Sequence, residues 1–162
     1  MNMKKIIAIA AAMLLALCAS AQSSKSLYNK YSGEKGISAV YISPAMFRLI
    51  GKLPELELAD EDVDISRIIK SLEGMYILST ENLAMGTRIC DDVDKLLRSG
   101  KYELLMEAKD DGEVMKMYTV TKGEFITSFV MLSIDDDEVD FIGFDGQIRN
   151  SDFEALIAES QK

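Results

Sequence analysis

Between Tyr102 and Phe144 the chain runs through four strand-like stretches separated by very short turns, and this stretch limits the fold more than any other. Tyr102 to Ala108, Glu113 to Thr121, Phe125 to Ile134 and Glu138 to Phe144 are rich in aromatic, β-branched and methionine side chains. Such residues suit a pleated, half-buried surface. The turns are Asp110-Asp111-Gly112, Lys122-Gly123 and Asp135-Asp136-Asp137. A parallel crossover needs a dozen or more residues, so turns this short force neighbouring stretches into antiparallel hairpins. Asp145-Gly146 reads as the end of the last strand. The second half is therefore predicted to be a four-stranded antiparallel meander.

The first half alternates strand and helix signals. Ile37 to Ile42 is apolar on both faces, which predicts a strand buried in the middle of a sheet. Ser43-Pro44 then offers an N-cap and a first-turn proline, with Met46, Phe47 and Ile50 at helical spacing and Gly51 at the place of a left-handed C-cap. Residues 52 to 63, with Pro54 and five acids, read as a surface loop into a helix carrying Ile65, Ile68, Ile69 and Leu72, ended by Gly74. Met75 to Ser79 is a second short apolar run. A longer helix from about Glu81 to Arg98 follows, with Ile89, Cys90, Val93, Leu96 and Leu97 as its stripe. A last helix starts near Asn150 or Ser151 and carries Phe153, Leu156 and Ile157. The predicted class is α+β: a mixed sheet of about six strands, made of two strand-helix units followed by the meander, with helices mainly on one face. Phe125, Thr127, Phe129, Met131 and Ser133 alternate with Ile126, Ser128, Val130, Leu132 and Ile134, so neither face of that strand is cleanly polar. A partly apolar open face is the consequence to look for.

Residues 1 to 21 read as a cleavable export signal. Lys4 and Lys5 precede the apolar run Ile6 to Leu17, which falls short of the roughly 20 residues that a spanning helix needs. Ala19-Ser20-Ala21 supplies the small residues that signal peptidase accepts, which places cleavage after Ala21 and makes Gln22 the new N-terminus. Leu15-Ala16-Leu17-Cys18 gives an alternative, because it resembles a lipobox with Cys18 as the acylated residue, although Leu17 stands where a small residue is usual. The expected organisation is a signal peptide over 1–21, a polar stub over 22–26 and one α+β domain over 27–160. The expected location is the periplasm or cell envelope, with lipid anchoring to the outer membrane as the alternative.

The chain has 27 acidic against 18 basic residues, a formal charge of −9, and loss of Lys4 and Lys5 with the signal deepens it by two units. Such an excess repels nucleic acid and anionic lipid, whose binding depends on Lys and Arg displacing counterions. It favours solubility or a basic partner. After cleavage at Ala21, Cys90 is the remaining cysteine, so no internal disulfide can form. With 48% apolar residues, packing is left to hold the fold.

Candidate chemistry is sparse. The sequence has no histidine, which removes the usual general base, the usual partner of a serine or cysteine nucleophile, and the commonest zinc ligand. No Gly-x-Gly-x-x-Gly or Walker-type run is present. Cys90 lies on an apolar stripe and is followed by Asp91 and Asp92, a setting for an inert thiol. Asp60-Glu61-Asp62-Val63-Asp64 opens like an EF-hand loop, yet Ile65 stands where glycine is required and Ser71 where glutamate is required, so it reads as a solvated loop with Asp64 as an N-cap. Asp135 to Glu138 reads as a charged hairpin tip. Met115, Met117, Val130 and Met131 offer an adaptable apolar binding face, although Met at alternating strand positions, as Met115 and Met117 are, reads first as ordinary core. No catalytic residue, metal ligand or cofactor is assigned.

Val114-Met115-Lys116-Met117-Tyr118, Lys122-Gly123-Glu124-Phe125-Ile126, Phe129-Val130-Met131-Leu132 and Val139-Asp140-Phe141-Ile142-Gly143-Phe144-Asp145-Gly146 resemble the family known as domain of unknown function 4252. The resemblance spans roughly residues 27 to 160 and implies a small exported protein of Gram-negative bacteria, some members being described as lipoproteins. Its motifs are strand residues and turn glycines, so it implies no active-site position. Two function classes remain. The leading one is a non-catalytic binding or interaction module of the envelope, its partner an unknown envelope protein or a second copy, with no nucleic acid, no transmembrane span, and a membrane only if Cys18 is lipidated. The alternative is a carboxylate-dependent hydrolase acting on envelope or diet-derived polymers.

Overall fold

Short turns and alternating side chains produce one six-stranded sheet. A computed structural model describes residues 23–52 and 65–159. In chain order the elements are α1 (Ser24–Tyr31), β1 (Ser38–Ile42), α2 (Pro44–Ile50), α3 (Ile65–Lys70), β2 (Leu72–Thr80), α4 (Leu83–Ser99), β3 (Glu103–Asp110), β4 (Glu113–Lys122), β5 (Phe125–Ile134), β6 (Val139–Arg149) and α5 (Asn150–Glu159). The sheet order is β1-β2-β6-β5-β4-β3. The meander therefore forms as predicted, and its last strand pairs with β2. All five neighbouring pairs are antiparallel, so the sheet is not the mixed one expected from two strand-helix units. β1 and β2 run in opposite directions because the chain between them returns through α2 and α3 before β2 begins.

Alternation along the strands sorts side chains into two faces. On one face the rows Tyr41–Tyr76–Gly143–Val130–Tyr118 and Ala39–Leu78–Phe141–Leu132 cross the sheet. Leu78, Val130 and Phe141 are fully buried there against Leu27 and Tyr31 of α1 and Ile89, Val93 and Leu96 of α4. Gly143 lets α1 approach β6, because a Cβ at that position would lie 2.6 Å from Ser24 Cβ. A second, smaller cluster of Ile68, Ile126 and Ile148, joined by Phe144 and Phe153, gathers α3 and α5 at the far end of β5 and β6.

Several local expectations change. β1 is an edge strand with Val40 46% exposed, not a central one, because an apolar run reports faces and not neighbours. Gly51 caps α2 with φ −65°, in right-handed geometry, and its hydrogen stands where a Cβ would meet Lys70 Cγ at 2.7 Å. Gly74 does not end a helix; it lies in β2, beside a bulge that lets the strand start at Leu72. α4 starts at Leu83, two residues after the expected Glu81, because Asn82 caps it, its Oδ1 accepting from Met85 N. β6 runs through Asp145-Gly146 to Arg149, since a register shift opposite Ile126–Ser128 lets pairing continue. α1 starts at Ser24, inside the expected polar stub, because Ser23 and Ser26 form a reciprocal capping box.

Candidate functional site

The second face of the sheet has a row of its own. Val40, Ile77, Ile142, Met131, Met117 and Met106 are register partners across all six strands, and each is apolar. None of the six is buried: Val40 and Met106 are exposed and the other four are half-buried. Their counterparts one residue away, Leu78, Phe141, Val130 and Leu132, are at most 6% exposed. The adjoining row toward the far end is Ile42–Met75–Phe144–Phe129–Thr119, in which Phe129 and Phe144 stack at 4.7 Å. Toward the other end the row turns polar, as Ser38–Ser79–Asp140–Ser133–Met115–Ala108. Methionine contributes an unbranched, polarizable side chain that adjusts to differently shaped partners, and Met75, Met106, Met115, Met117 and Met131 all lie here.

Beyond the polar row the sheet ends in acids. The β3–β4 and β5–β6 turns come together around a concavity of about 240 Å³ lined by Asp111, Gly112, Glu113, Asp135, Asp136 and Asp137. Asp135 Oδ1 closes its own turn by accepting from Asp137 N at 2.7 Å and Glu138 N at 2.6 Å. Ser79 donates to Glu138, tying β2 to the same corner. Among the described residues no group of three or more acids or cysteines is placed to hold a metal ion. Lys109 and Lys116, the lysines of β3 and mid-β4, stand on the opposite face, where both pair with Glu107 at 3.2 and 3.4 Å.

The residues singled out in the sequence are scattered. Met115, Met117 and Met131 share the open face, whereas Val130 points to the helices with no exposed surface. Cys90 lies in a groove of about 370 Å³ between α4 and the β3–β5 half of the sheet, with Asp94, Leu97, Lys116 and Tyr118 around it. Burial, then Asp94 and Asp91, pushes its thiol up, which opposes thiolate chemistry. Cys18, Ala21, Gln22 and the acids Asp60 to Asp64 lie outside the described residues.

Two further acids make buried contacts that no sequence motif marks. Asp92, 3% exposed, accepts from Lys30, Tyr31 and Lys95 and is spent on joining α1 to α4. Asp145 is half-buried; burial pushes its carboxyl up, and Ser128 Oγ donates to it at 3.0 Å while also contacting Tyr102 Oη at 2.9 Å. The open apolar row was equally hidden, since it exists only through the register of five strand pairs.

The fold defines a single-sheet α+β domain with one face packed by α1 and α4 and the other packed at its far end, where Phe144 joins Ile68 of α3 and Phe153 of α5, leaving the Val40–Met106 row unburied among the described residues. Residues 31–156 match the model of a family described as "Domain of unknown function (DUF4252)", which is most of the chain, and the protein belongs to that family. Neither a curated protein nor a solved structure matches it.

Proposed function

We propose that the protein is an exported, non-catalytic interaction module of the cell envelope, and that the open sheet face is its binding surface. The observation that carries this reading is the row from Val40 to Met106, six apolar side chains in register and none buried. Apolar surface left in water costs on the order of 25 cal/mol per Å², so a continuous apolar row is stabilised by being covered. Sheets of this kind solve the problem with a polar face, a second layer or a partner. Export rests on Lys4, Lys5, the run Ile6 to Leu17 and the small residues before Gln22.

The test compares residues 22–162 with a Met131→Asp variant in envelope extract and in sedimentation. Wild type is expected to capture a partner or self-associate, and the variant to lose that behaviour while keeping its circular dichroism. Recovery of the same proteins by both, or no association by either, rejects the reading.

A further inference from the structure

The occupant of this face has a chemistry written into its surroundings. Resting on the proposed binding role, we infer that the open face receives a cationic amphipathic helix, lying across the strands with its apolar side on the Val40–Met106 row and its basic flank toward the acidic hairpin ends.

Three observations carry the inference. The first is shape: the apolar row crosses six strands, and at about 4.8 Å between strands it is about 24 Å long, the length of a helix of about 16 residues. The second is charge. In register on the open face, Asp110 and Glu113 pair at the end of β3 and β4, and Asp140 pairs with Ser79 and Ser133 at the matching end of β6. Asp140 lies one same-face row from the apolar row and Asp110 and Glu113 lie two rows from it, all on the hairpin-end side, so they flank a helix laid along it. Lys109 and Lys116, which would oppose a basic flank, project from the other face. The third is material: methionines supply half of the apolar row and accept a range of side-chain shapes without repacking the sheet. A second copy fits less well, because each copy brings a formal charge of −9, deeper by two units once Lys4 and Lys5 are lost, against the same charge. Anionic lipid meets the same repulsion.

The experiment uses residues 22–162 with a synthetic 16-residue leucine/lysine amphipathic helix, the same pattern with glutamate for lysine, and phosphatidylglycerol vesicles. Binding is read by fluorescence anisotropy, and the bound surface by peroxide oxidation of methionines with mass spectrometry. The lysine helix is expected to bind, to weaken about tenfold from low to high salt, and to protect Met117 and Met131 from oxidation. The triple variant Asp110→Asn/Glu113→Gln/Asp140→Asn should lose about tenfold in affinity, and Met131→Asp, or the milder Met117→Ser, should abolish protection. Equal binding of both helices, abolished by Met131→Asp, overturns the charge argument while leaving the face as a binding surface. Lysine-helix binding that survives Met131→Asp is surface attraction alone and overturns the inference. Vesicle binding, dimerisation through the face, or methionines already protected in the free domain also overturn it, and the last removes the proposed binding role as well.

Discussion

Tyr31 Oη donates to Asp92 Oδ2 across 2.8 Å, joining α1 to α4 above the buried face of the sheet. Tyr31 has no exposed surface, and Asp92 also accepts from Lys95 at 2.8 Å and from Lys30. A hydrogen bond to a charged group contributes about 1.5–3 kcal/mol, so Tyr31→Phe should lower unfolding free energy by that amount. Asp92→Ala removes three bonds and strands a buried hydroxyl, so it should cost more. A double-mutant cycle in urea checks both; full additivity of the two losses would show that the bond does not couple the helices.

The same pair sets two pH limits. Burial, then the hydrogen bond to Asp92 and its charge, pushes Tyr31 up to about 12 from 10.0. An acid raised in the folded state keeps its full contribution below its unfolded value, so stability is lost as pH rises from about 10 toward 12. Asp92 goes the other way. Burial raises its carboxyl, but hydrogen bonds from Lys30, Lys95 and Tyr31 outweigh burial and hold it well below the usual carboxylate range. Its contribution is present above about pH 4 and is lost as pH falls below that. Urea midpoints should form a plateau between these limits, and Tyr31→Phe should flatten the alkaline limb; an unchanged limb contradicts the assignment.

Gly143 is expected to be intolerant of a side chain. An added Cβ would stand 2.6 Å from Ser24 Cβ and 2.9 Å from Phe141 Cζ. Gly143→Ala should cost about 1–3 kcal/mol through overpacking. Adding Ser24→Gly removes one of the two clashes and should recover about half of the loss in the same urea titration. No recovery would place the strain at Phe141 instead.

Much of this architecture was legible because turns are local. Gly112 and Gly123 adopt φ 99° and 61°, the backbone that glycine supplies, and they mark the hairpins correctly. What the sequence hid was register. Met115, Met117 and Met131 could be grouped by alternation within β4 and β5, but their continuation into Ile142, Ile77 and Val40 depends on β6 pairing with β2, a contact between residues some 65 positions apart. Val130 does not belong with the methionines, and here local alternation is the better guide, since it sets Val130 with Leu132 on the helix-covered face. Bulges defeated the strand ends, since Gly74 and Gly146 look like stops but sit where pairing shifts register and continues.

Cys90 should behave as an inert thiol. It is half-buried, and burial with Asp94 and Asp91 pushes its ionisation up. Because the thiolate is the reacting species, labelling by a disulfide reagent at pH 8 should be about tenfold slower in the native domain than in urea. Equal rates would mean that the groove beside α4 opens freely. Cys90→Ala should remove the signal and leave helix binding to the open face unchanged.

The N-terminus separates two molecules that one sequence allows. Cleavage after Ala21 gives a chain that begins at Gln22 and leaves with the soluble periplasmic fraction; acylation gives one that begins at Cys18 and stays on a membrane. Each buried methylene of an acyl chain contributes about 0.8 kcal/mol, so two or three chains anchor the protein firmly. Intact mass of the exported protein decides between them, because acylation keeps Cys18 to Ala21 and adds lipid mass. The expected result is the unlipidated chain from Gln22, with or without cyclisation of that glutamine, since Leu17 occupies the position where a lipobox carries a small residue. Under that outcome Cys18→Ala leaves the fractionation unchanged. Recovery in the detergent phase, with a mass fitting acylated Cys18 and its loss in Cys18→Ala, would reverse the assignment.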